Sequence, residues 1–444
     1  MSGVDHVSFF HDVLTEAVRA AEQAEVFGAI ANETPVRFEA NKLKEVQSRN
    51  STTVALRLTK NGRIGLAMSS GVTDPKSVVK MALETAVFGA QSKFEFPGKA
   101  NYPEVPVYDE AVDRVSAEQM VEIGQGLIDR VRHRSPELMC EGGVSKSSIE
   151  IHILNSNGAS AQYRRSLFSV GVEGTLIRGE DMLFVGDGEV SCHPIRNTSE
   201  IEAVTVWQLE NAKNRARVPT RSMPVILTPR AVAGTIGTPL SIGFNGRTVF
   251  EGASPLRGKL GERLLDAKLS LYDDPVTAMM PASRPCDDEG TPSKRNTLIR
   301  HGEIVTFLYD LQTAGLADAV STGSASRSRG PMPGPSASCL VFEKGDIAFE
   351  KMVSEIKEGL IVEHLMGAEQ GNVLGGDFSG NVLLGFMIEG GKIVGRAKDV
   401  MVSGNVYKAL KTIVAMGKES RLVHGGINTP HIWLQELSVA AKGS

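Results

Sequence analysis

Apolar positions along this chain recur first at helical spacing and then at strand spacing, and the switches between the two periods predict its elements. Over residues 8–24, Phe10, Val13, Ala17, Ala20, Ala21 and Ala24 fall near one helical face. Residues 26–30 and 36–46 read as strands. The runs 53–58 and 64–68 flank Lys60-Asn61-Gly62-Arg63. Asn-Gly in that place signals a hairpin, because both residues reach positive φ at little cost. Asp74-Pro75 supplies an N-cap and a first-turn proline for a helix to about Ala90. Pro97, Pro103 and Pro106 then mark an extended connector. Ser116 and Gln119 form a capping box ahead of Met120, Ile123, Leu127 and Val131. Ile149, Ile151 and Ile153 alternate into a turn at 155–158, and 163–177 returns as a strand. Asn197 with Glu200 opens a helix through Ile201, Val204 and Trp207 to about Arg215.

From Met223 the texture changes to short strands and glycine turns. The stretch 225–261 begins as a buried strand (Val225, Ile226, Leu227), offers Thr228 as N-cap and Pro229 at the first turn, and continues as a smooth helix. It contains Ala231, Ala233, Gly234 and Gly237 but no His or Cys, and no acid before Glu251. Residues 298–304 read as a hairpin across Arg300-His301-Gly302-Glu303, and 381–388 pairs with 392–402 across Glu389-Gly390-Gly391. Residues 321–338 form a low-complexity loop, too rich in Gly, Pro and Ser to pack a core. A helix over 404–416 and a terminal strand over 432–439 complete the reading. The fold class is α+β. An N-terminal domain (1–220) places helices on antiparallel β-hairpins, and a C-terminal β-rich domain (221–444) has many glycine turns and few helices.

Composition narrows the class. A length of 444 residues favours two domains. The net charge of −4 sets up no basic field for nucleic acid. Cys140, Cys192, Cys286 and Cys339 form no C-x-x-C pair, which argues for a reducing compartment over a disulfide or zinc-knuckle framework. No apolar run approaches the roughly 20 residues of a membrane span. The opening MSGVDHVSFFHD lacks a basic region followed by an apolar core, so no secretory leader is expected. A cytoplasmic protein is the expectation.

Residue chemistry alone names no catalytic centre. No histidine pair has zincin spacing. His6 and His11 straddle a helix start, and His424 and His431 bracket a glycine turn where they could converge, each pair without a companion acid or cysteine. The clusters Asp273-Asp274 and Asp287-Asp288-Glu289 could hold a hard cation, or serve as turn residues before Pro275 and Gly290. Arg327 and Arg329 could grip a phosphate or a peptide carboxylate, or lie incidentally in a mobile loop. No G-x-S-x-G elbow occurs.

Several longer strings, in one order, carry a resemblance. They are GASPLRGKLGE (252–262) with YDDP (272–275), CDDEGTPSKRNTLIRHGEIVTFLYDLQTA (286–314), STGSASR (321–327) and GGDFSGNVLLGFMIEGGKIVGRAKDVMVSGN (375–405). Residues 38–67 match more loosely. Together they resemble the TldD/PmbA family, historically called modulators of DNA gyrase, and its PmbA (TldE) branch most. The resemblance implies an intracellular two-domain α+β protein that acts with a sister subunit on unfolded or modified peptides. It implies that the TldD-type sister carries an H-E-x-x-x-H helix and a later cysteine that bind zinc, and that this chain does not. Set against this sequence, the motif falls at Gly237, Thr238 and Ile242, and no cysteine follows Cys339. The expected partners are a TldD-type subunit in a heterodimer, or a second copy in a homodimer, and an unfolded peptide. No direct nucleic acid or membrane contact is expected. Arg327, Asp377 and Ser379 are the expected peptide-lining residues. Two rival readings are a stand-alone hydrolase built on Asp273 and Asp287 with His424, and a non-enzymatic regulator of DNA gyrase or toxin–antitoxin proteins.

Overall fold

The computed structural model describes residues 5–328 and 330–442. Seven strands form a first sheet: β1 (Gln23–Glu39), β2 (Lys42–Val46), β3 (Arg49–Lys60), β4 (Arg63–Ser70), β5 (Met139–Asn155), β6 (Ser160–Arg178) and β7 (Asp181–Ser191). Their order is β4-β3-β1-β5-β6-β7, with β2 added to the end of β1. The Asn61-Gly62 hairpin forms as predicted, both residues at positive φ. The strands expected at 26–30 and 36–46 are instead one long β1 that turns at Ala40-Asn41 into β2. β3 pairs with β1 as far as Glu33 and β2 takes over at Val36. Pro35, which has no N–H for a ladder, falls in the gap between them.

One face of this sheet carries the helices. His6–Ala20 and Pro75–Ala86 bury Phe10, Val13, Ala17, Val78 and Ala82 against Val26, Leu56 and Leu58. Both helices end four residues short of the reading, because Ala24 already belongs to β1 and Val87–Ala90 turns away after Ala86. Ala117–Arg134 has its Ser116/Gln119 capping box and covers Phe38, Val144, Val170 and Val172. Ser199–Asn211 starts one residue later than its expected cap: Thr198 is the N-cap residue, and the Asn197 side chain accepts from the Ser199 N–H.

The second sheet has twelve strands, beginning at Arg215. Strand Arg221–Leu227 runs inside it, parallel to Glu358–Met366 and antiparallel to Ile427–Ala441. Residues 404–416 do not make the expected helix. Asn405 caps only Val406–Ala409, and Ile413–Val423 is a strand paired with the last one. The apolar residues that mimic a helical face there, Val406, Leu410 and Ile413, are buried in the second core by a short turn and a strand start. The loop 321–338 also departs from expectation. Ser324 and Ala325 are fully buried, Ala325–Ser326 pairs with Gly334–Pro335, and the Ala325 N–H is held by Asp287. Among the described residues, no helix is long and apolar enough to cross a membrane.

Candidate functional site

The two acidic clusters are the densest chemistry in the sequence, and the fold consumes them internally. Asp287 accepts N–H groups from Glu289, Thr291 and Ala325. Asp273 accepts from Ser338 and Cys339. Asp288 pairs with Arg284 at 3.0 Å and accepts the Arg327 N–H at 2.7 Å. Glu289 pairs with Arg57 at 2.6 Å, and the other arm of Arg57 meets Glu25 at 3.1 Å. Arg57, Glu25, Asp273, Asp287 and Glu289 are all fully buried. Burial alone would lower the Arg57 pKa, yet Glu25 and Glu289 carry it above its ordinary value. Burial pushes the Asp273 carboxyl up to about 6 against the pull of its two N–H donors. This cluster ties the bare face of β1 and β3 to loops of the second half. Asp273 and Asp287 have no exposure to solvent, which removes the basis for a hydrolase centred on them.

Arg327 belongs to the same cluster. It is buried, ion-paired to Glu25 and bonded to the Asp288 and Pro331 carbonyls, and it is not among the residues lining the cleft described below. Arg329 lies outside the described residues. Asp377 and Ser379 are exposed on one side of strand Asp377–Glu389, and Asp377 accepts from Asn405 at 2.8 Å. Neither borders the large cleft described below.

The 225–261 stretch folds as read at its start and differently in its middle. Thr228 caps the helix and Pro229 occupies its first turn. The helix then widens to a π-helical turn over Ala233–Gly237 before resuming at Thr238–Gly243. Pro239 contributes no N–H to the helix ladder, and a widened turn next to such a gap is a form that recurs at functional sites. Val232, Ile236, Leu240 and Phe244 bury one stripe in the second core. At the positions matching the metal motif, Gly237 is buried, Thr238 is exposed and Ile242 is half-buried. A Cβ added to Gly237 would stand 2.7 Å from Ile427 Cδ1. The Gly237 carbonyl accepts the Ser241 hydroxyl at 2.8 Å. A metal needs several N, O or S donors at short range, and this set offers a hydrogen atom, one hydroxyl and a hydrocarbon. These residues do not fit a zinc ion.

The N-terminal end of the same helix opens into a cleft of about 1060 Å³. One wall is the bare face of β1, β5, β6 and β7, and the other holds Thr228–Arg230, Glu363 and residues 421–424. Arg421 grips Asp187 through both guanidinium nitrogens, at 3.1 and 2.5 Å. Arg230 reaches the Gly186 carbonyl at 3.2 Å and Glu173 at 3.7 Å. Glu363 is buried, with its carboxyl pushed up by burial against a Thr228 hydrogen bond. His424 and His431 both belong to the lining of the cleft. Burial lowers both pKa values, that of His431 to about 4, so both rings are neutral at pH 7. His431 also packs on Phe349 at 4.5 Å between ring centres. A smaller cavity of about 300 Å³, with His364, adjoins through Glu141, Glu173 and Arg230. The sequence does not reveal this cleft because its residues come from ten separate segments. The one available signal was the His424/His431 pair.

Comparison with known proteins places this geometry. Residues 24–90, 110–215 and 220–441 match the PmbA/TldA metallopeptidase domain 1, central domain and C-terminal domain. A metalloprotease of Methanothermobacter thermautotrophicus is 22% identical over 93% of this chain and 92% of its own length. A metalloprotease PmbA homolog of Haemophilus influenzae is 22% identical over 96% of this chain and 94% of its own. The crystal structure of TldE from Thermococcus kodakarensis superposes with a TM-score of 0.91 at 24% identity, covering 98% of this chain and 100% of that one. At that identity the likeness speaks for the fold, while the three consecutive domain matches speak for descent. The chain belongs to the PmbA/TldD family of metallopeptidase-like proteins.

Proposed function

We propose that this chain is the non-metal-binding subunit of a peptidase completed by a homologous TldD-type subunit, acting on unfolded or modified peptides in the cytoplasm. Zinc and the bond-breaking chemistry belong to the partner, and this chain closes the chamber and helps hold the substrate. The observation that carries this reading is the helix at 229–243. It keeps the strand-into-helix frame of the family yet presents Gly237, Thr238 and Ile242 where donors are required, with Ile427 against the first. Relatives include proteins named TldD homologs, from Haemophilus influenzae and Buchnera aphidicola, so two related kinds of chain exist in the family to be paired. A chain that pairs with a homologue has the surface to pair with itself, and a homodimer is the form expected without the partner.

Reconstitution tests the reading. The purified chain is mixed with a TldD-type subunit and assayed on an unstructured peptide, with complex formation followed by gel filtration. Cleavage that appears only in the mixture and disappears with EDTA is the expected result. No complex and no gain in cleavage would sink it.

A further inference from the structure

The cleft between the two sheets has a floor of glycines, two of which the fold itself does not require. Strand register sets Gly143 of β5 beside Gly171 of β6, and Gly171 beside Gly188 of β7, with Arg37 of β1 at the near end of the row. The next row holds Ser145 and Ser169, whose hydroxyls bond each other at 2.8 Å. Intervening residues Val144, Val170 and Val172 point into the core beneath. Farther along the same face Ile151, Ile153 and Tyr163 are covered by the segment around Cys286. The glycine rows are where that cover stops.

None of the three glycines has positive φ. A Cβ at Gly143 would come no nearer than 3.5 Å to the Val36 carbonyl and one at Gly171 no nearer than 3.5 Å to that of Asp187, whereas one at Gly188 would stand 3.2 Å from that of Val170, a tighter contact. Glycine inside a strand forfeits β-propensity and side-chain packing, and it commonly marks a place where a ligand or another backbone comes close. Here, among the described residues, the nearest atoms that a Cβ at Gly143 or Gly171 would meet belong to neighbouring strands of the same sheet. Four neighbouring strands at about 4.8 Å spacing give a floor roughly 14 Å wide, room for about four residues of extended chain.

The charges around this floor are lopsided once the internal pairs are set aside. Seven carboxylates and three arginines line the cleft. Asp187 is taken by Arg421 and Glu173 by Arg230. Among the described residues Glu33, Glu141, Glu189, Glu350 and Glu363 have no ion-pair partner, against Arg37 alone on the cationic side. Glu363 is buried, accepts from Gln208 and has its carboxyl pushed up by burial, which leaves four exposed or half-buried carboxylates. The unspent charge is therefore negative, in a cavity at the upper end of the range for small-molecule sites, about 300–1,000 Å³.

We propose that this cleft binds an extended peptide segment bearing lysine or arginine side chains, its backbone lying over Gly143, Gly171 and Gly188 and its cations meeting Glu33, Glu141 and Glu350. Small floor residues admit a main chain whatever its side chains, and the rim carboxylates select for positive charge. The proposal specifies the substrate class of the peptide-holding role above and rests on that reading, but it concerns binding by this chain alone.

The test uses the purified full chain, without partner, and three capped fluorescent hexapeptides in which alanine alternates with lysine, glutamine or glutamate. Fluorescence anisotropy at low and physiological salt gives the affinities. The lysine peptide is expected to bind about tenfold more tightly than the glutamine one, and the glutamate peptide most weakly, with the gap narrowing as salt rises. The triple variant Glu33→Gln, Glu141→Gln, Glu350→Gln should erase the difference. Gly143→Val, whose new side chain suits a strand but fills the floor, should weaken the lysine and glutamine peptides alike. Gly171→Ala serves in its place if that variant folds poorly. Equal binding of all three peptides, no binding of any, or a lysine preference that survives the triple variant would overturn the proposal. So would spermine binding as tightly as the lysine peptide with no effect of either floor substitution. Failure of reconstitution with a TldD-type subunit alongside lysine-selective binding here would reject the subunit role and leave the cleft assignment standing.

Discussion

Around Arg57 every carboxylate has a partner inside the chain, whereas along the cleft Glu33, Glu141 and Glu350 are exposed and have no ion-pair partner among the described residues. The first group is buried and joins the two sheets. The second sits on a surface that the rest of the fold leaves open. In the sequence the first looks the richer site, with five acids in the two short runs 273–274 and 287–289, and the second is scattered over more than 300 residues. Density of acids along a chain reports turn chemistry and buried pairing as readily as ligand binding. Whether a charge is already satisfied is what separates the two regions.

The sharpest way to break this contrast is to remove Arg57. Arg57→Met leaves Glu25 and Glu289 buried without their shared cation, and a loss of about 3–5 kcal/mol is expected in urea unfolding. A loss below about 1 kcal/mol, the level of an exposed pair, would mean the cluster is no clamp. Next comes the helix with the widened turn. Gly237→His should cost about 1–3 kcal/mol, because its Cβ would start 2.7 Å from Ile427 Cδ1. Adding Ile427→Ala should recover part of that loss, and strict additivity of the two would show that Ile427 does not fill the place.

Proton linkage gives a third handle. The folded Asp273 carboxyl, pushed up to about 6 by burial, holds its proton more tightly than the unfolded one near 3.8. The folded state therefore binds more protons between these values, and this group's contribution is full below about pH 4 and lost as pH rises through about 6. Its size is on the order of 3 kcal/mol. Asp273→Asn should flatten the pH dependence of unfolding over that window, and an unchanged slope would assign the titration elsewhere. The smallest effect is expected in the cleft. Glu141→Gln removes an unpaired, partly exposed charge and should change stability by less than about 0.5 kcal/mol. A larger loss would reveal a structural partner and weaken the distinction between the regions.

Much of the fold was legible because local signals and tertiary packing agree there. The Asn61-Gly62 hairpin, the Ser116/Gln119 capping box and the Thr228-Pro229 helix start all stand where their residues imply. The misread segments are those where one pattern suits two structures. Residues 404–416 have helical spacing, yet pairing with Ile427–Ala441 draws 413–423 into the sheet. Residues 321–338 have loop composition, yet the buried Asp287 and Glu25 need the donors that Ala325 and Arg327 supply. The site was less legible for a related reason. The missing donors at Gly237, Thr238 and Ile242 are visible in the sequence, but Ile427 against Gly237 is a contact across 190 residues. The glycine row of the cleft needs strand register before Gly143, Gly171 and Gly188 become neighbours.

The metal content of the purified chain bears most directly on its place in a two-subunit peptidase. After expression in zinc-supplemented medium and exhaustive dialysis, elemental analysis should find zinc far below one ion per chain, because positions 237, 238 and 242 supply no set of donors. Zinc retained one to one would contradict a subunit that leaves the metal chemistry to its partner.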